Sequence, residues 1–191
     1  MDRRELIKQI AILTGAAVAG SEFFLSGCTG TDKSAAGFFS EADIIFFDEV
    51  AETIIPKTNT PGAKDAEVGK FMASYSMDCY EKYQLDILKE GIKKLDSASL
   101  KKNKMLFMDA TDEERKTLLI EVDGEAKRYN EERERAKKKE PPPHYFTLMK
   151  QLVLLGFFTS KPGATQVLRY EPVPGKYHGC IDYKKGETSW A

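Results

Sequence analysis

Tyr145-Phe146-Thr147-Leu148-Met149-Lys150-Gln151-Leu152-Val153-Leu154-Leu155-Gly156-Phe157-Phe158 is a strongly apolar run bounded by proline on both sides. Pro141-Pro142-Pro143 precede it, and Ser160, Lys161 and Pro162 close it soon after Gly156-Phe157-Phe158. The run is too short for the roughly 20 apolar residues that a membrane-spanning helix needs. It reads as the most buried helix of a helical domain, with Met149, Leu152-Val153 and Leu155-Gly156 inside.

Working backward, Thr111 with Glu114 has the spacing of a capping box. It opens a long helix whose early turns bury Leu118, Leu119, Val122 and Ala126. From Tyr129-Asn130 to Lys139-Glu140 that helix becomes almost wholly charged, with mixed signs, as a solvated extension does. Leu85, Leu88, Ile92 and Leu95 recur at i, i+3, i+7 and i+10, marking another helix. A further one is expected from about Lys64 to Tyr80, burying Val68, Phe71-Met72 and Tyr75. The first, opened by Ser40 and Asp43, carries Ile44, Phe47, Ala51 and Ile54-Ile55 on one face and ends at Pro56. No stretch shows sustained strand alternation, although Val167 to Val173 has a locally extended pattern. The expected fold is mainly α: a single domain of about five helices over residues 40–191, with an irregular Pro/Gly-rich C-terminal tail.

Charge and chemistry narrow the function. The net charge of −1 and an isoelectric point near 6.2 argue against a nucleic-acid partner, which calls for a basic face. No Gly-x-Gly-x-x-Gly follows a strand, so no dinucleotide cradle is expected. The two histidines, His144 and His178, lack Cys or acidic residues at ligand spacing. His144, just after three prolines, suits a capping or surface role. Asp112-Glu113-Glu114 sit where a helix dipole favours them. No catalytic, metal or cofactor-binding residue is expected in this chain.

The N-terminus is read as an export signal over residues 1–27. Arg3-Arg4, then Leu6-Ile7-Lys8, then an apolar stretch from Ile10 to Gly20 and a small-residue end form the layout of such a signal. The arginine pair suggests the twin-arginine route, which carries folded cargo. Leu25-Ser26-Gly27-Cys28 resembles a bacterial lipobox, in which Cys28 is acylated and becomes the new N-terminus. Residues 28–39, rich in Gly, Ser, Thr and Ala, then form a flexible tether. The expected location is the periplasmic side of a bacterial membrane, lipid-anchored, with inner and outer membrane both open. Outside the cytosol Cys79 and Cys180 either pair or stand as two separate buried thiols. Pairing would close a loop of about 100 residues, worth several kcal/mol in the chain-entropy model.

Two segments are unusually specific for stretches without catalytic groups. One runs from Ala51 through Ile54-Ile55-Pro56 to Thr60-Pro61-Gly62-Ala63. The other holds Gly163-Ala164-Thr165-Gln166 and Pro172-Val173-Pro174-Gly175-Lys176-Tyr177-His178-Gly179-Cys180. In these motifs, and over roughly residues 40 to 183, the chain resembles the gluconate 2-dehydrogenase subunit 3 family. That family provides the small subunit of membrane-associated, flavin-dependent sugar and sugar-acid dehydrogenases. The resemblance implies a large partner subunit of the glucose–methanol–choline oxidoreductase type that holds FAD and does the chemistry, with a cytochrome as a further electron carrier. The small subunit would stabilise its partner and supply the export signal for both.

Proline-ordered segments lose less entropy on docking, and Tyr and Arg are frequent interface anchors. Pro56, Pro61, Gly62, Arg169, Tyr170, Pro174 and Tyr177 are therefore the candidate partner contacts. The competing readings are a stand-alone envelope lipoprotein that binds carbohydrate or another envelope protein, and an enzyme using Cys180 or His178. The former needs an aromatic-lined groove, and the sole tryptophan, Trp190, lies at the C-terminus.

Overall fold

The structure, a computed structural model, describes residues 37–135, 142–173, 175–176, 179–180, 182 and 184–190. The expected signal with Arg3, Arg4 and Cys28 lies outside the described residues, as do Pro174, Tyr177 and His178. Five helices order the chain: α1 (Glu41–Ile54), α2 (Val68–Cys79), α3 (Lys82–Asn103), α4 (Asp112–Arg135) and α5 (Tyr145–Thr159). The mainly helical fold expected from the sequence is present, with no named strand among the described residues.

α5 is the centre of the bundle and packs against each of the other four helices. Its apolar run explains this: Tyr145, Phe146, Leu148, Met149, Leu152, Val153, Gly156 and Phe157 are all buried. Two glycines set how closely helices approach. A Cβ at Gly91 of α3 would sit 2.8 Å from both Met149 and Tyr145, and one at Gly156 of α5 would sit 2.5 Å from Phe71. Glycine inside a helix costs roughly 0.5–1 kcal/mol relative to alanine, and the close crossings offset that cost. On α5 the residues Leu154, Leu155 and Phe158 point outward, each a little over a third exposed. Leu155, placed inside from the sequence, therefore falls on the outer face of the helix, as does Phe158.

At α1 the Ser40 hydroxyl accepts from Asp43 N, and the Asp43 carboxylate accepts from Ser40 N and Oγ at 2.6 Å. Such a capping box contributes about 1 kcal/mol. The helix buries Phe46, Phe47, Val50 and Ala51, while Ile44 and Ile54 are only partly covered. The stripe is wider than the sequence spacing indicated because α1 contacts α2, α4 and α5 together. Phe39 is 1% exposed and packs edge-on to Phe47 at 5.3 Å, so the packed body starts before residue 40. Lys89 of α3 pairs with Asp43. Burial alone would raise the Asp43 carboxyl, but bonds from Lys89 and Ser40 outweigh it and hold the pKa below the usual value.

Where one helix from Lys64 was expected, a 3-10 turn (Lys64–Ala66) leads through left-handed Glu67 (φ 50) into α2. The break lets Gly69 lie against α1, where an added Cβ would meet Asp48 and the Ile44 carbonyl at 2.6 Å. Asp48 accepts from Gly69 N at 2.8 Å, so a carboxylate on one helix satisfies an otherwise orphan donor at the start of the next. Burial pushes the Asp48 carboxyl up despite that bond.

Thr111 and Glu114 cap α4 as their spacing requires, with Glu114 accepting from Thr111 N at 2.9 Å. The charged half of α4 is described to Arg135. The histidine after the prolines is the N-cap of α5, its Nδ1 accepting from Phe146 N at 3.3 Å. After α5 comes a π-helical turn, Gly163–Val167, so Val167 closes a turn and does not begin an extended stretch. A Cβ at Gly163 would lie 1.9 Å from the Phe157 carbonyl oxygen.

Candidate partner interface

The Pro/Gly loop after α1 is built from its underside. Its stem closes by Ala63 N donating to Ile55 O at 3.0 Å. Glu52 turns its carboxylate into the loop and accepts from Lys57 N and Lys64 N, both at 2.8 Å. Asp65 does the same from the other side, accepting from Gly62 N at 3.1 Å and from the Lys57 ammonium at 3.0 Å. The Lys57 bond, with the Gly62 N–H behind it, holds the Asp65 carboxyl below its usual pKa. Gly62 is buried, and a Cβ there would lie 2.5 Å from a Glu52 oxygen and 2.6 Å from Lys57 N. Only glycine leaves room for the carboxylate. The outer rim, Pro56 to Thr60, remains exposed and Pro61 is half-buried.

The loop is tied to the rest of the bundle through Glu49. One of its oxygens pairs with Lys64, the other with Arg115 of α4 at 2.6 Å. Arg115 is largely buried and also donates to the carbonyls of Phe107 and Met108 at 3.0 and 2.7 Å. Its guanidinium lies 5.7 Å from the Phe107 ring centroid. A groove of about 440 Å³ opens beside this scaffold, lined by Glu52, Ile54, Pro56, Lys57 and Lys116. A second of about 350 Å³ shares Thr53, Ile54 and Lys116 and reaches Ile120, which is 64% exposed. The surface is a rigid rim of proline and threonine over an apolar floor, edged by lysines and carboxylates. Its chemistry suits docking of a protein surface: mixed polarity with a few apolar anchors is how separable interfaces are composed.

The second segment is held differently. Arg169 N donates to Ser189 O at 2.7 Å, and Arg169 forms an isolated parallel bridge with Trp190. The Arg169 guanidinium stands 4.0 Å from the centroid of the Trp190 ring. Tyr170 is 55% and Val173 80% exposed. Of the candidates drawn from sequence, Pro56, Arg169 and Tyr170 offer exposed surface, while Gly62 works inside its loop. Among the described residues no hydrogen bond, ion pair or ring contact joins the two segments.

Cys79 and Cys180 are both free and both exposed. The pairing considered from sequence is not formed, and neither thiol is a buried core residue. Cys79 ends α2 on its solvent side, which the alternation of buried Met72, Ala73 and Ser76 sets. Among the described residues no group of three His, Cys, Asp or Glu is arranged to hold a metal. Sequence reasoning missed Glu49, Glu52 and Asp65 as loop builders, and Trp190 as the partner of Arg169. Three acids flanking a Pro/Gly loop are a usable signal; a contact across 21 positions leaves none.

No curated protein and no solved structure matches the chain. The model of the family described as gluconate 2-dehydrogenase subunit 3 matches residues 41–175, from the first turn of α1 to Gly175, and so takes in the first Pro/Gly segment and the second as far as Gly175. The chain belongs to the gluconate 2-dehydrogenase subunit 3 family, and with it to the accessory subunits of dehydrogenase complexes.

Proposed function

We propose that this chain is the non-catalytic small subunit of a periplasmic, flavin-dependent dehydrogenase of the glucose–methanol–choline type that acts on a sugar or polyol. Its tasks are export through the Arg3-Arg4 signal, membrane tethering through acylated Cys28, and stabilisation of the FAD-bearing subunit. A cytochrome is the further partner that receives electrons. The observation that carries the reading is the family match over residues 41–175. The clasped loop supports it, because a rim held from inside docks with little loss of conformational freedom. A flavoenzyme takes up its cofactor in the cytoplasm before crossing the membrane. A folded-cargo signal on one subunit therefore serves both if they assemble first.

Co-expression with a neighbouring flavin oxidoreductase is expected to yield a yellow complex in mild detergent, and the chain purified alone is expected to be colourless. Replacing Arg3 and Arg4 by lysine is expected to strand both subunits in the cytoplasm. Cys28→Ala is expected to release the complex from the membrane. Recovery of the chain with no flavoprotein attached, under conditions that keep the flavoprotein soluble, would overturn the reading.

A further inference from the structure

Two cavities, of about 440 and 310 Å³, meet on the α3–α4 side of α5, and both are lined by Lys94 and Tyr145. The larger has an apolar floor that includes Leu118 and Val122, with Glu125 on its wall. The smaller is walled by Tyr129 and His144, with Glu90 beside them. Tyr145 sits at the junction and is only 9% exposed. Its ring is fixed by the close approach of Gly91, by the His144 ring at 4.5 Å and by the Lys94 ammonium at 5.7 Å. Its hydroxyl has no hydrogen-bond partner among the described residues and is not sealed from solvent, so it opens onto the cavity.

The groups around that hydroxyl are of both kinds. His144 Nδ1 accepts from Phe146 N, so the neutral ring carries its proton on Nε2, as a second donor. Lys94 is a third, balanced by Glu90 at 3.2 Å. Glu125 acts through its charge on both Tyr145 and His144, yet bonds to neither. A carboxylate and a phenol therefore line one open space without bonding to each other. An anion there would meet Glu90, Glu121 and Glu125, and a cation would meet Lys94, Lys101 and Lys102. A hydroxyl both donates and accepts, so it satisfies the two sets together. The Tyr129 and His144 rings, 5.6 Å apart, add apolar surface for C–H groups.

We propose that this cleft binds a small, uncharged, hydroxyl-rich molecule, one of whose hydroxyls bridges the Tyr145 phenol and the Glu125 carboxylate. The site does not depend on the subunit reading, and its test uses the full chain alone. Sorbitol and glucose are titrated in calorimetry and in saturation-transfer NMR, with sulfate and tetramethylammonium as charged probes. Saturable millimolar binding of at least one neutral probe is expected. Tyr145→Phe keeps the ring and removes only the hydroxyl, so about a five- to tenfold loss of affinity is expected with unchanged melting. Glu125→Gln is expected to weaken binding in the same direction. Absence of saturable binding up to about 100 mM, unchanged affinity in Tyr145→Phe, or preference for either charged probe overturns the proposal. Co-purification of Tyr145→Phe with the flavoprotein is scored separately, so that the cleft and the subunit reading fail independently.

Discussion

The loop after α1 and the tail after α5 share a composition of proline, glycine and tyrosine or threonine, but they are held by different means. In the loop, Glu52 and Asp65 satisfy three backbone N–H groups, and Glu49 extends the scaffold to Arg115 of α4. In the tail, one backbone bond and one half-exposed stack of Arg169 on Trp190 tie residues far apart in sequence. The contrast teaches that a proline-rich segment is rigid when a neighbouring helix supplies acceptors for it, and not because of its prolines. It also sets an order of mutational sensitivity that can be checked.

The largest effect is expected at Arg115. Its removal takes a donor from the Phe107 and Met108 carbonyls and leaves the Glu49 carboxylate with Lys64 alone, in a mostly buried place. Arg115→Ala should therefore cost about 3 kcal/mol, read as a shift of the urea midpoint. Gly62→Ala comes next, at about 1–3 kcal/mol, because the new methyl overlaps the Glu52 carboxylate and Lys57 N. If the loop were rigid through its prolines alone, Gly62→Ala would leave stability unaltered. Glu52→Ala should cost about 1–2 kcal/mol by unpairing two loop donors, and amide exchange at Lys57 and Lys64 should quicken in that variant.

The α5 cap gives a pH-dependent check. Burial is the main cause that holds His144 below its ordinary value of 6.5, opposed by Glu125. A depressed folded pKa means that the stabilisation is fully present above 6.5 and fades as pH falls through the lower value. Protonation also removes the Nδ1 acceptor used by Phe146 N. Asp48, raised by burial, changes stability in the opposite sense on acidification. The clean measure is thus the wild type minus His144→Asn, which caps without titrating. That difference should favour the wild type less at about pH 5 than at about pH 8. The smallest effect belongs to the tail: Trp190→Ala should alter global stability by less than about 1 kcal/mol. Its signature should instead be faster proteolysis near Lys184 and Lys185.

Much of the fold was legible because periodicity records burial directly. Leu85, Leu88, Ile92 and Leu95, and Leu118, Leu119, Val122 and Ala126, are buried where their spacing put them. Caps at Ser40, Thr111 and His144 were readable for the same local reason: each involves residues within a few positions. What escaped depends on contacts across the fold. The break at Glu67 follows from Gly69 meeting α1, and the outward turn of Leu155 follows from which face of α5 the other helices occupy. At the candidate interface the exposed prolines were visible in sequence, whereas the carboxylates that hold them were not, since Glu52, Asp65 and Arg115 read singly as ordinary surface charges.

The root of the N-terminal segment carries a mechanical consequence. Phe39 is wedged against Phe47, with the Lys89 ammonium 6.0 Å from its ring centroid, while Lys89 also grips Asp43. Any pull arriving along the chain from residue 37 is thereby shared between the start of α1 and the third turn of α3. Tension is therefore spread over the first two turns of α1 and the Lys89 side chain, and does not fall on the first turn of α1 alone.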